Sequence, residues 1–190
     1  MIVADRQAEV FAASDPPGVD EYGDVYGCAA GRTHRYHLGG VPTISSTGGR
    51  SIKDEALNGP VVAYEESNYG GYESRLSEQW IVVRDLRTGR LLHRVPTGVA
   101  EEAGPEVAGV GFITGLVVKS DGAVAWIVDN FGLDVGLPPE AVPFYEVKSV
   151  DGSGLRTLAG GTDVDPSSLA LAGSRLYWTQ ADKAFSTALR

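Results

Sequence analysis

Asp163 and Asp165 stand two apart in DVDPSS (163–168), a spacing that in a loop can turn two carboxylates toward one hard cation such as Ca²⁺. The later Gly and acidic ligand of an EF-hand are missing, and GGTDVD lacks the third Gly of the nonapeptide calcium repeat. The reading this spacing favours is an Asp that caps the turn ahead of Pro166, with Ca²⁺ kept as a weak expectation. Asp129, Asn130 and Asp134 form a second oxygen-rich stretch with the same two readings.

Other constellations lose part of their chemistry on inspection. His34 and His37 lie three apart, which on a strand puts them on opposite faces, and His93 is distant in sequence, so a zinc site is not expected. Gly49-Arg50-Ser51-Ile52-Lys53 fails the G-x-S-x-G pattern of a serine nucleophile at its second Gly. GVGFITG (109–115) spaces its glycines as G-x-G-x-x-x-G and runs into a strand, unlike a phosphate-cradling loop. Carboxylates are plentiful, and glycoside hydrolysis needs only two at a suitable separation, but no pair is singled out by sequence.

The bulk properties narrow the partners. Asp and Glu number 25 against 16 Lys and Arg, and a net charge of -9 argues against a nucleic-acid or anionic-membrane partner. VAGVGFITGLVV (107–118) is too short and Gly-rich to span a bilayer. The opening MIVADRQAEV has neither the basic start nor the apolar core of a secretory signal. The lone Cys28 is expected to pack as a buried apolar thiol.

The elements that must position these residues follow from a repeat. Phe11, Tyr64, Trp126 and Trp178 recur at about 50-residue intervals, each ending the second of two short apolar stretches separated by a polar or Gly turn. ALNGPVVAY (56–64) and ALAGSRLYW (170–178) share even the Gly five residues ahead of the aromatic. Asp-Arg, Asn-Gly, Asp-Gly and Gly-Ser at these turns suit tight hairpins. A second hairpin follows in each of the first three units: 24–38, 78–96 and 143–160. The last unit has a third strand, KAFSTALR, and no sequence for a fourth.

Four antiparallel strands per unit is the arithmetic of a β-propeller blade. The expectation is one all-β, propeller-like domain over 1–190, of about four blades (1–40, 41–97, 98–160 and 161–190), the last incomplete. An immunoglobulin-like sandwich is the runner-up, but it does not predict such a period. Incomplete closure implies an imperfect ring, a chain shortened at its start, or self-association through a blade edge.

DGSGLRTLAGGTDVDPSSLALAGSRLYWTQADK (151–183) resembles the repeat of TolB-type propellers, and WIVVRDLRTGRLLHRV (80–95) and LVVKSDGAVAWIV (116–128) are similar to blade hairpins of the wider WD-repeat-like class. No Trp-Asp dipeptide occurs. The resemblance implies the fold, and it extends to uncharacterised secreted propeller-like proteins, which implies an extracytoplasmic location without supplying an activity.

In such a blade, one set of connections is tight and the other long. The long set (12–23, 40–54, 68–77, 97–111, 129–143 and 160–166) gathers Asp and Glu, while its basic residues are Arg50, Lys53 and Arg75. An acidic loop face on a rigid scaffold is therefore expected, with Tyr69, Tyr72, Asp129, Asp134, Asp163 and Asp165 as candidate ligand-binding residues. Tyr69 and Tyr72 sit in SNYGGYES, a composition suited to adaptable contacts. The favoured function is a non-enzymatic module that presents this face to a protein, glycan or cation. The alternative is a carboxylate-dependent hydrolase or lyase acting at the propeller mouth.

Overall fold

The computed structural model describes residues 2–13, 23–40, 49–69, 77–98, 111–130 and 144–190. All regular structure among them is β, in fifteen strands with no helix. The first unit holds β1 (Val3–Ala4), β2 (Ala8–Ala13), β3 (Asp24–Ala29) and β4 (Tyr36–Gly40). The second holds β5 (Gly49–Asn58), β6 (Val61–Tyr69), β7 (Ser77–Asp85) and β8 (Arg90–Pro96). The third holds β9 (Phe112–Val118), β10 (Val124–Asp129), β11 (Tyr145–Asp151) and β12 (Gly154–Gly161). The fourth ends the chain with β13 (Ala170–Ala172), β14 (Arg175–Gln180) and β15 (Lys183–Ala188).

Within each unit the strands pair antiparallel in chain order, so each is a meander with its first strand at one edge. The expected turns form them. Gly59 and Gly173, each five residues ahead of its aromatic, both adopt φ of 60°, a conformation open to Gly at little cost. Asp5, Asp85, Asp121, Asp151 and Asp165 each accept the backbone N–H two residues on, so much of the acidic content builds turns.

Two features depart from the expectation of separate blades with long loops. Units 1 and 2 join into one eight-stranded sheet, because β4 and β5 meet in parallel at Gly40 and Ser51. A Cβ on the adjacent Gly39 would lie 2.6 Å from Ile52, so the approach depends on absent side chains. Residues 49–54 belong to β5, and Tyr69 ends β6 in register with Gly49 and Ser77. The inner hairpin therefore extends past a bulge between Lys53 and Ala56 into what reads as loop.

Three cores join the units face to face. Val10, Val25 and Leu38 of unit 1 pack on Val62, Tyr64 and Val82 of unit 2. Val61, Ala63 and Val83, on the opposite face of unit 2, pack on Val124, Trp126 and Val150 of unit 3. Ala125, Ile127 and Val147 of unit 3 then pack on Leu176 and Trp178 of unit 4, with Leu189 beside them. Strands in the middle of such a stack are covered on both faces and read as continuous apolar runs, as in Val61–Tyr64 and Val124–Val128. Units 1 and 4 alternate instead: β2 buries Ala8 and Val10 and leaves Glu9 and Phe11 half-buried, while β14 buries Leu176 and Trp178 and exposes Arg175 and Tyr177.

First strands lie side by side from unit to unit, β1 against β5, β5 against β9 and β9 against β13. At the short-turn end, hydrogen bonds stitch successive units. Asp5 accepts the Gly59 N–H at 2.8 Å, Asn58 donates to the Val118 carbonyl at 3.1 Å, and Lys119 donates to the Leu189 carbonyl at 2.9 Å.

Candidate functional site

Three of the four recurring aromatics share one structural meaning. Tyr64, Trp126 and Trp178 each point back into the core shared with the preceding unit. Phe11 occupies the same position in unit 1 but points to that unit's outer face, where none of the three cores lies. The alternation of β2 and β3 places Glu9, Phe11, Tyr26 and Cys28 on this face, and Ala8, Val10, Val25 and Ala29 on the core side.

An open hollow of about 490 Å³ lies there, lined by Glu9, Phe11, Cys28, Arg32, Thr33 and Arg35. Phe11 stacks on Tyr26 at 6.1 Å between ring centroids, and the Arg35 guanidinium sits 5.8 Å from the Phe11 centroid. Tyr26 also meets the His37 ring at 5.4 Å, and its hydroxyl donates to Asp24 at 3.3 Å. His37 Nε2 lies 3.0 Å from Asp24, a contact exposed enough to contribute little stability.

Cys28 is half-buried in this face rather than enclosed in the core, since β3 turns its alternate positions outward. Burial and the hydrogen bond from its Sγ to Glu9 at 3.4 Å both push the thiol above its ordinary value. It therefore stays protonated near neutrality and is a poor nucleophile. Aromatic rings, two guanidiniums and a carboxylate around a hollow form a surface for contact more than for chemistry.

Compared with known proteins, the chain matches no family model, no curated protein and no solved structure.

A second polar group lies between units 2 and 3. Glu65 is fully buried and accepts from Lys53 at 3.2 Å and from the Ser67 hydroxyl at 3.0 Å. Lys53 also lies 4.0 Å from Asp54 and 5.3 Å from the centroid of the exposed Phe112 ring. Asp54 has φ of 54° at the β5 bulge, a left-handed conformation uncommon outside Gly. Burial raises the carboxyls of Asp54 and Glu65, and Lys53 only partly offsets it. Burial likewise raises Glu55. Glu65 Oε2 and Gln79 Oε1 are buried without a hydrogen-bond partner among the described residues.

The residues suggested by sequence do not gather into one cluster. Asp129 ends β10, level with Phe112 on one side and Tyr145 on the other, and after burial its charge helps to raise the Tyr145 hydroxyl. Asp163 accepts from Gln180 at 2.9 Å. Asp165 accepts the backbone N–H of Ser167 at 2.9 Å and its hydroxyl at 2.8 Å, the turn-capping role. Hydrogen bonds from Ser167 hold the Asp165 carboxyl below its usual range. Tyr72 and Asp134 lie outside the described residues. His34 meets Tyr36 edge-on, His37 meets Asp24, and burial lowers His93 in unit 2, so the histidines stand apart. Among the described residues no three His, Cys, Asp or Glu side chains converge as a metal site, and no helix is long and apolar enough to cross a membrane.

Sequence reading passed over Glu9, Arg35 and Tyr26. One signal was available: two residues ahead of the aromatic, units 2, 3 and 4 carry Val62, Val124 and Leu176, while unit 1 carries Glu9.

Proposed function

We propose that the chain is a non-enzymatic interaction module, a propeller-like arc of four units that engages a protein partner on the outer face of unit 1. The observation that carries this reading is Phe11, whose counterparts are all covered by a preceding unit while it borders an open hollow. An aromatic that lines an open hollow on a sheet face, beside a second ring and an arginine, is a surface suited to being covered. Support for a propeller-like course comes from the four consecutive meanders, their face-to-face cores and the neighbouring first strands. The resemblance to TolB-type repeats belongs to this reading, as does an extracytoplasmic location. The acidic connections fall largely outside the described residues. They are a second surface in this proposal, for a glycan, a cation or a basic protein patch, with Ca²⁺ at Asp163 and Asp165 its weakest part.

The test is a photo-crosslinking residue in place of Phe11, with the same residue in place of Phe112 as a control, in cells expressing the chain. Adducts with an identified polypeptide at position 11 and none at 112 are expected. Absence of adducts at position 11 sinks the reading.

A second reading, a carboxylate-dependent hydrolase or lyase, draws on the raised carboxyls of Asp54 and Glu65 beside Lys53. Turnover of a glycoside or peptide panel that vanishes in Glu65→Gln would establish it. The complete burial of Glu65 favours a structural role instead.

A further inference from the structure

Unit 2 turns one side of its sheet toward unit 3, and two side chains there hold acceptors without a donor among the described residues. Ala63, Ile81 and Val83 lie in the core shared with unit 3, and alternation along β6 and β7 puts Glu65, Ser67 and Gln79 on the same side. Ser67 stands directly opposite Gln79, and Glu65 is one diagonal step away, within reach of a long side chain. Glu65 is completely buried and Gln79 is 7% exposed, yet Glu65 Oε2 and Gln79 Oε1 are the two unpartnered atoms.

The two oxygens of Glu65 are used unequally. Oε1 accepts from Lys53 at 3.2 Å and from Ser67 at 3.0 Å, while Oε2 accepts from neither. A carboxylate is an acceptor at both oxygens, and leaving one bare in the interior is costly. A protonated carboxyl divides the work, its carbonyl oxygen accepting and its hydroxyl donating. The acceptor that such a hydroxyl requires is Gln79 Oε1. A Ca²⁺ or Mg²⁺ ion in the same place would need about six oxygens, whereas a proton is satisfied by two.

We infer that Glu65 is a proton-operated latch at the junction of units 2 and 3: its Oε2–H donates to Gln79 Oε1, and loss of that proton to solvent loosens the junction. Once the proton leaves, Oε2 carries charge beside another acceptor in the interior, and only water admitted between the units can stabilise it. The charged neighbours on this side come from β5, where Lys53 and Asp54 lie. β7 turns Gln79, Ile81 and Val83 this way, and β9 has no charged residue. On β8, His93 is level with Val83. On β10, Asp129 follows Val128 and so lies on the side toward unit 4. On β11, Lys148 and Glu146 pair with each other at 3.4 Å. Burial raises the Glu65 carboxyl against the opposing pull of Lys53 and the Ser67 hydrogen bond, which agrees with a held proton. Trp126 reports on the same junction. Its indole N–H is held by the Thr97 carbonyl at 2.8 Å, and the Thr97 N–H by the Gln79 carbonyl at 3.1 Å. The latch lies inside the stack and does not depend on what engages the unit 1 face.

The experiment is NMR of the purified full chain across pH, with ¹³C at the glutamate carboxyls and Glu65 assigned by its through-bond correlations. In the wild type Glu65 should titrate above the ordinary 4.5. Gln79→Met removes the acceptor and should lower that midpoint by about half a pH unit or more, while Lys53→Met removes the cation and should raise it. Exchange of the Trp126 indole N–H, corrected for its intrinsic pH dependence, should quicken relative to Glu65→Gln by about tenfold for each pH unit that separates the midpoint from 4.5. The pH at which this gain levels off should move with the midpoint in Gln79→Met and Lys53→Met, which keeps the test decisive if Glu65→Gln folds poorly. A wild-type midpoint at or below 4.5 means that Lys53 keeps Glu65 ionised. A midpoint that rises in Gln79→Met means that the amide gives an N–H to a carboxylate, and one that stays put means that water, not the Glu65 proton, meets Gln79. Each of these results overturns the latch, as does Trp126 exchange with no such gain.

Discussion

Trp126 donates its indole N–H to the Thr97 carbonyl at 2.8 Å, so the aromatic of unit 3 is tied to the end of unit 2 by a buried hydrogen bond. Trp178 holds the same repeat position in unit 4, yet its indole nitrogen is buried without a partner among the described residues. One position in the repeat thus carries two different energetic roles.

Trp126→Phe should cost about 2–3 kcal/mol, combining lost volume with a broken buried hydrogen bond, and Trp178→Phe about 1–2 kcal/mol less. Urea unfolding of both variants checks this, and equal losses would remove the hydrogen bond from the account.

Asp151 has a fully buried side chain and gathers Arg156 at 2.6 Å, the Arg190 N–H at 2.9 Å and the Ser153 N–H at 2.8 Å. Burial pushes its carboxyl up, but these bonds outweigh it and hold the group below its ordinary 3.8. The stability it supplies is therefore complete above the ordinary value and is lost as pH falls through the lower folded value. Asp151→Asn should cost about 3 kcal/mol at neutral pH, with the gap to wild type closing only in strong acid. A gap that is independent of pH would contradict the ionic role.

Glu65 behaves in the opposite sense. Burial raises its carboxyl above the ordinary 4.5 despite Lys53, so at pH between the ordinary and the raised value the folded chain holds a proton that the unfolded chain has released. Stability from this group falls as pH rises from the ordinary value through the raised one. Glu65→Gln should therefore be more stable than wild type at pH above that window, with the advantage shrinking toward pH 4. Thermal unfolding across pH checks it, and a loss of stability at every pH would show that the ion pair dominates.

Gly89 and Gly31 both have φ of 72°, but only Gly89 abuts another unit, where an added Cβ would enter the Tyr36 ring. Gly31 has open space around it. Gly31→Ala should cost about 1 kcal/mol from backbone strain alone. Gly89→Ala should cost about 1–3 kcal/mol more, through the forced shift between units 1 and 2. Equal costs would mean that Tyr36 yields freely.

Much of the fold was legible because hairpins declare themselves locally. Asn58-Gly59, Asp121-Gly122 and Gly173-Ser174 specify tight turns through their own backbone preferences, and the strands around them formed as expected. The continuous apolar run of β10 accompanies burial on both faces, and the alternation of β2 and β14 accompanies burial on one. The pairing of β4 with β5 was not legible, since a single bridge through Gly40 leaves no periodic trace. Nor was the hollow on unit 1, which draws Glu9 from β2, Cys28 from β3 and Arg35 from the segment before β4.

The amino-acid order alone determines the fifteen hairpin-forming strands, their turns and the recurring aromatic, because each depends on residues close together in the chain. Tertiary packing decides which of those aromatics become core and which remains a surface. Tyr64, Trp126 and Trp178 each lie in a core shared by two units, and Phe11 lies in none of the three. Burial depends on what lies across the face, and that neighbour is set by the stacking of whole units rather than by any local sequence.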